Sequence, residues 1–491
     1  MIQEEHDNIE RVAIMRAAGM DPYPAEVFRT HTIGSVLLDF DGLSLRGQAV
    51  TVAGRVRLIR KHGGLTFGHV EDETGRIQFA LKRDVVGEVA YDQFHQFFTM
   101  GDFIEVTGTL FKTKTAEMTI SVTLSRMLAK ALLPLPEKWH GLADPEARMR
   151  QRYLDFLTNP LAKDYIRKRA AIMRALRNVL EEEGFLDVET PTLQPIYGGG
   201  FARPFTTHHN ALGADFYLRI SDEMYLKRLI VGGFEKVYEI TKVFRNEGID
   251  RDHNPEFTMF EAQAAYKDYR WGMDIFERLF EESAKRALGT TDIVHEEAVI
   301  SVARPWKRMT MVEAIHAVTG EDVLGWNEVD LAKASARKCL TEKGRAELDK
   351  LHRIGEVIGL LFEDQVEEQL IQPTIVYDYP VETSPLAKRC EDPRFVQRFE
   401  AFALGMEVGN NYTELNDPQD LWQRFVEEKK KEEAGFDEAH QTDEDYLEAI
   451  KHGFPPTCGL GIGFDRMVML LTGAKNIKEV MAFPTLRPKE E

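Results

Sequence analysis

Apolar residues recur along this chain at two different spacings. From Val50 they alternate with polar ones: VTVAGRVRL sets Val50, Val52, Val56 and Leu58 in alternating register around Gly54, and LTFGHV follows. GRIQFAL repeats the alternation at Ile77, Phe79 and Leu81, and after a helical segment come FIEVTGTLF and EMTISVTL. A period of two belongs to strands with one buried face. Five short strands, with one helix between the third and fourth, predict a small Greek-key barrel over residues 49–132.

Elsewhere the spacing lengthens. Residues 1–48 mix helical pattern with loop and read as a helical extension, and LLPLPEKWHG, with its prolines, reads as part of a linker over 133–150. RMRQRYLDFL then opens a much larger α/β region, 151–491. From Ile166 to Glu183 apolar residues at Ile172, Leu176, Val179 and Leu180 predict an amphipathic helix, halted at Gly184 where a left-handed cap is expected. Strand-like runs follow in FYLRI, KVYEITKVFR, FTMFEAQAAY, TIVYDYP and FEAFALGMEVGN. Residues 310–372 are helix-rich and charged, the pattern of an insertion, and EEKKKEEAG reads as a solvated helix face.

Composition narrows the class. A chain of 491 residues, 43% apolar and 29% charged, predicts a soluble globular protein of two or three domains. The acidic start MIQEEHDNIE has no basic segment leading into an apolar run, so no signal peptide is expected. No apolar window approaches a membrane span. Cys339, Cys390 and Cys458 are scattered without CxxC spacing, which argues against a disulfide framework or a zinc site and fits a reducing cytoplasm. A formal charge of −19 excludes indiscriminate coating of nucleic acid but not RNA held by local basic patches.

Near the C-terminus GLGIGFDRMVMLLTG looks like a nucleotide loop. A dinucleotide fingerprint needs its glycines after the first strand of a βαβ unit, and no room for one remains this late in the chain. No GxxxxGK[ST] occurs either. Taken alone, the run reads as a small-residue strand packed closely on its neighbours.

Three other segments change that reading. EEGFLDVETPTL (182–193), FRNEG (244–248) with HNPEFTMFE (253–261), and the glycine run occur in the order of the signature motifs of class II aminoacyl-tRNA synthetases. With GNNYTELND, PPTCGLGIGFDRM and the long stretch from GGFARPF to KVYEI, nearly the whole chain resembles the class II lysyl-tRNA synthetase family. The resemblance implies an α+β multidomain protein: an N-terminal OB-fold barrel that binds the anticodon, then an antiparallel-sheet catalytic domain with helices. It implies activation of L-lysine with ATP to lysyl-adenylate, transfer to tRNA(Lys), a magnesium cofactor and a homodimer built on GFLDVETPTL. A synthetase for another amino acid, aspartate or asparagine being nearest in architecture, and a catalytically silent RNA-binding paralogue are the alternatives.

The family's residues carry over position by position. Arg245 and Arg466 would be the catalytic cations, the first on the α-phosphate and amino-acid carboxylate, the second bracing ATP near its γ-phosphate. Phe257 would stack on adenine, Glu247 and Asn254 would fix the base, and His253 would lie near the phosphates. Glu400 and Glu407 would hold magnesium, Glu400 also serving ATP; their spacing demands a bulge or turn between them. For lysine, Gly199 and Glu223 match the α-amino group, Glu414 the ε-ammonium with Glu261 as a second acceptor, Tyr412 the stem, and Asn410 the orientation of neighbours. Gln263 stands where the family commonly has tyrosine, implying weaker lysine binding or relaxed discrimination against ornithine. Phe67 and Gln78 would stack on and hydrogen-bond the central anticodon base, with Arg55 and Arg76 as further contacts; a place in the barrel core is the other reading of Phe67. The glycines 459, 461 and 463 would vacate one strand face beneath the ligands, with Asp465 and Arg466 placing charge where that strand meets its helix.

Overall fold

Alternating burial closes the first unit. Strands β1 (Val50–His62), β2 (Leu65–Glu71), β3 (Arg76–Lys82), β4 (Phe103–Lys112) and β5 (Met118–Ala129) form a closed barrel in the order β1-β2-β3-β5-β4. The helix Glu88–Phe97 falls between β3 and β4 and adds Tyr91, Phe94 and Phe97 to the core beside Val52, Phe79 and Val106. Met15, Ile33, Val36 and Phe40, from the helical segments that precede the barrel, join the same core. Along β2, Thr66, Gly68 and Val70 point inward and Phe67, His69 and Glu71 do not. At Gly68 a Cβ would stand 2.7 Å from the Leu58 carbonyl oxygen, so only glycine lets β1 approach this closely.

This structure is a computed structural model that describes residues 2–136, 142, 144–200, 202–295, 298–433 and 443–488, with backbone alone for 427–433. The chain divides into two compact units, residues 1–142 and 143–491. Residues 137–141 and 143 of the expected linker and the EEKKKEEAG side chains lie outside the described residues; the helix Pro145–Arg150 occupies the linker's end.

The second unit is built on a sheet. Its strands are β6 (Leu186–Asp187), β10 (Lys236–Phe244), β11 (Glu256–Ala265), β14 (Lys307–Thr310), β15 (Thr374–Pro380), β16 (Phe395–Ala403), β17 (Met406–Thr413) and β18 (Thr457–Gly463). Among the described residues these eight pair in the order β14-β15-β16-β17-β18-β11-β10-β6, antiparallel except at the two outer pairs. Between them in sequence, β7 (Leu193–Gln194), β8 (Thr206–His209) and β9 (Ala214–Leu218) form a small separate sheet, and β12 (Asp292–His295) pairs with β13 (Ala298–Ser301).

One face of the large sheet is covered by helices. The predicted amphipathic helix runs Pro160–Glu182, opened by Asn159 accepting the Leu161 N–H (3.2 Å) and followed by Gly184 at φ +80°. It packs with Tyr269–Leu288 and Phe464–Thr472 on Phe260, Ala262, Phe399, Ala401, Leu460 and Ile462 of the sheet. The helices 311–319, 329–339, 342–348 and 354–365 occupy the expected insertion and share a core with Val376, Tyr379 and Phe402.

Asp465 stands where β18 meets its helix, beside Arg466, as the glycine run implies. Its carboxylate is 1% exposed, accepts the Thr258 N–H (2.6 Å) and pairs with Arg169, whose Nη2 also reaches Thr258 Oγ1 (2.9 Å). It thus ties the long helix, β11 and the helix carrying Arg466 together. Replacing it with alanine leaves Arg169 unpaired in a largely buried place. Asp465→Ala is expected to destabilise the catalytic unit by about 3–5 kcal/mol, read as a lowered urea midpoint, with Asp465→Asn losing less.

Candidate active site

Residues that alternate away from the helices converge on the opposite face. Antiparallel register aligns Glu261, Gly461, Asn410 and Glu400 across β11, β18, β17 and β16, and Gln263, Gly459, Tyr412 and Arg398 in the next row. Partners in register share a face. They floor a cavity of about 360 Å³, closed by Gly199, Glu223, Arg245 and Arg466. Every sequence-expected residue of this region lines it except Glu400, which reaches it through Arg398.

At one end lie the two arginines. Arg245 leaves β10 through a loop where its N–H donates to the Pro255 carbonyl (2.8 Å), and its guanidinium sits 5.2 Å from the Phe257 ring centroid. Among the described residues it forms no ion pair, and its buried Nε has no hydrogen-bond partner. Arg466 donates from Nη1 to Glu407 Oε2 (3.0 Å) and carbonyl (3.2 Å), and its Nη2 lies 2.9 Å from His253 Nε2. His253 Nδ1 meets Asp250 at 2.9 Å. Asn254 is buried, donates to the Glu256 carbonyl (2.6 Å) and keeps Oδ1 unpartnered, while Glu247 lines the cavity at the exposed end of the same loop.

The two metal candidates are separated by both a bulge and a turn. Register shifts between Ala401 and Phe402, and Leu404–Gly405 turn the chain at φ +56° and +68°, so Glu400 opposes Asn410 while Glu407 opposes Phe402. Glu400 accepts from Tyr379 OH (2.9 Å) and pairs with Arg398. Acid accumulates here: burial, then the charges of Glu400, Glu363 and Glu407, push Glu367 up to about 7.

The far end is a buried carboxylate cluster with a resident cation. Glu414, 1% exposed, accepts from Gln263 Nε2 (2.9 Å) and pairs with Lys227 at 2.5 Å. Lys227 also pairs with Glu223, which takes a hydrogen bond from Tyr412 OH. Burial works against the Lys227 charge, but Glu223 and Glu414 outweigh it and raise its pKa well above the usual lysine range. Burial pushes Glu414 the other way for a carboxylate, up to about 8, against the pull of Lys227. Gln263 Oε1 is buried without a hydrogen-bond partner. Gly459 is what makes room: a Cβ there would strike the Glu414 carboxylate and come within 2.9 Å of Gln263 Nε2.

Glu261 is not beside Glu414. It lies two residues nearer Arg245 than Gln263 does and accepts from Ser221 Oγ (2.8 and 2.9 Å) and from the Asp222 N–H (3.1 Å), next to Gly199 at φ +83°. Gln263, the departure from the family pattern, occupies the place against Glu414 instead.

Sequence reading missed Lys227 and Arg398. Lys227 stands four residues after Glu223 on the helix Glu223–Val231, a spacing that puts both on one face, and Arg398 precedes Glu400 by two on β16.

In the barrel, Phe67 is half-buried on the outward row of β2, directly opposite Arg60 of β1, and His69 opposes Gln78 of β3. Gln78 donates to Glu117 (2.7 Å) and accepts from Thr119 (2.8 Å), and His69 lies 2.9 Å from Glu117. Arg55 stands on the same face, opposite Glu71 at the far end of the row, where it donates to the Gly101 carbonyl (2.9 Å) and covers the Phe103 ring at 4.2 Å. Arg76 is exposed and opposes Glu71. Arg60 and Glu117 were missed, although counting back from the Gly63–Gly64 turn would have placed Arg60.

Residues 144–487 match the family model of class II tRNA synthetases (D, K and N), and residues 50–124 that of the OB-fold nucleic acid binding domain. The chain therefore belongs to the class II tRNA synthetases. A lysine–tRNA ligase of Roseiflexus castenholzii is 50% identical over 488 residues, 99% of each chain. Another, from a Thermoanaerobacter species, is 50% identical over 485 residues, 98% of this chain and 95% of its own. Within the class, this chain's family is that of the lysine–tRNA ligases. Among the described residues no helix is long and apolar enough to cross a membrane.

Proposed function

We propose that this protein activates L-lysine with ATP to lysyl-adenylate and transfers the lysyl group to the 3′ end of tRNA(Lys). The observation that carries the proposal is one cavity holding an uncommitted guanidinium, Arg245, at one end and the acceptors Glu414 and Gln263 at the other. Lysine spans such a cavity with its carboxylate toward Arg245. Activation is attack of that carboxylate on the α-phosphorus, with pyrophosphate leaving. The nucleophile is already ionised at neutral pH, so no general base is needed. What the chain supplies is position and positive charge: Arg245 on the reacting phosphate and carboxylate, Arg466 on the far phosphates, Phe257 against the base.

Glu400 and Glu407 fit a magnesium ion. They come from adjoining strands into a region where carboxylate charge already raises Glu367, and a hard cation bound to phosphates asks for one or two carboxylates. When bound, magnesium would neutralise phosphate oxygens; Tyr379 and Arg398 hold Glu400 in place for it.

We place the protein in the cytoplasm as a homodimer. Support comes from the family and from Leu186 and Leu193, 49% and 46% exposed in the GFLDVETPTL segment. In the barrel, Phe67 would stack on an unpaired base, Gln78 and Glu117 would hydrogen-bond its edge, and Arg60 would meet the backbone.

ATP–pyrophosphate exchange with each standard amino acid tests the assignment: exchange with lysine alone is expected, and exchange with another amino acid or none overturns it. Arg245→Ala should lower lysine-dependent exchange about 10²–10³-fold. Gln263→Tyr should raise the ratio of lysine to ornithine specificity constants by roughly tenfold; an unchanged ratio removes Gln263 from selectivity. Phe67→Ala should weaken tRNA by about 1–3 kcal/mol, read in the KM for tRNA, while leaving exchange unaltered.

A further inference from the structure

Behind the cavity lies an acid that none of these roles uses. Asp222 is completely buried at the N-cap of the helix Glu223–Val231. An N-cap aspartate ordinarily accepts the early backbone N–H groups of its helix. Here no side-chain cap forms, and Ser221 Oγ takes the Glu223 N–H instead (3.1 Å). Neither carboxyl oxygen of Asp222 finds a hydrogen-bond donor.

The charged groups around it offer no partner for an anion. From β11 comes Glu261, from β10 Glu239, from its own helix Glu223, and from the end of β9 Arg219. Arg219 is committed elsewhere: Nε to the Lys242 carbonyl (2.9 Å), Nη1 to Glu239 (2.8 Å) and the Thr190 carbonyl (3.1 Å), Nη2 to Thr241. Lys227 pairs with Glu223 and Glu414. The helix N-terminus alone favours charge, by far less than burial beside like charges opposes it. The Asp222 N–H donates to Glu261 Oε2 (3.1 Å), which brings the Glu261 carboxylate against this residue. Burial first, then Glu261, raises the Asp222 pKa well above the usual carboxylate range.

We propose that Asp222 is a neutral carboxylic acid whose O–H donates to the Glu261 carboxylate, making it a positioning residue for the amino-acid pocket. The pair holds one proton and one negative charge. Asp222 does not line the cavity; Glu261 does. With Ser221 Oγ and the Asp222 N–H, the Asp222 proton completes a set of donors that aims Glu261 at the bound amino acid. The inference rests, for its functional half, on the lysine-pocket reading above.

The test compares the full-length protein with Asp222→Asn, which keeps shape and a donor, and Asp222→Leu, which removes the donor. Melting is measured without substrate between about pH 5 and 8. An unfolded aspartate releases its proton near pH 4. The folded state retains it to higher pH, so wild type loses stability relative to the unfolded chain as pH rises through this window. Asparagine carries no such penalty. The melting temperature of Asp222→Asn minus that of wild type should therefore increase with pH. A difference that is flat or falls with pH, or an Asp222→Asn protein that does not fold, overturns the proposal, since it makes Asp222 an ionised partner. In lysine-dependent exchange, Asp222→Asn should keep the wild-type KM for lysine, and Asp222→Leu should raise it roughly tenfold or more, with a smaller change in kcat. An unchanged KM in Asp222→Leu denies the positioning role. If wild type shows no lysine-dependent exchange, the functional assignment fails while the melting comparison still reads the charge of Asp222.

Discussion

A period of two, held in register across β11, β18, β17 and β16, is the constraint on which the site depends. It sends Leu460, Ile462, Phe260 and Phe399 into the helical layer and leaves Gly459, Gly461, Glu261, Gln263, Asn410 and Tyr412 together on the other side. Slipping one strand by a residue would exchange the two sets. The apolar burial that stabilises the sheet therefore also sets the position of the polar groups. Packing on one face and chemistry on the other are the same fact.

The polar face is itself two chemical environments. Near Arg245 and Arg466, cations outnumber their committed partners and an anionic ligand is favoured. Near Glu414, carboxylates crowd together in a buried place. Lys227 tempers that crowding from within, and the raised pKa of Glu414 records how little solvent reaches it. Such a gradient orients a zwitterion with a cationic tail before any bond changes. The buried proton assigned to Asp222 belongs to the same economy of charge, since among the described residues Asp222 and Glu261 lie together without a cation paired to either.

The barrel's outward row is set by the same alternation. Its inward row is mostly apolar, and its outward row brings Phe67, His69, Gln78 and Arg60 side by side. Glu117 joins only because β5 lies next to β3 rather than following it in sequence.

Much of this was legible in the chain alone. Alternation located the barrel strands, TIVYDYP matched β15 end to end, and the long amphipathic helix stopped beside Gly184. These are local signals, carried by residues within one element. The ordered motifs likewise singled out Arg245, Arg466, Glu414 and the glycines, which the fold brings to one cavity, because residue type and spacing survive in a linear text. Three-dimensional pairing decided the rest. Asp465 turns inward because Arg169, nearly three hundred residues earlier, waits there. Arg55 is drawn to Phe103, Gln263 rather than Glu261 meets Glu414, and Lys227 pairs with Glu414 from a helix far away in sequence. A side chain's partner across a fold depends on which strands lie adjacent and in what register, and neither is written in the residues flanking it.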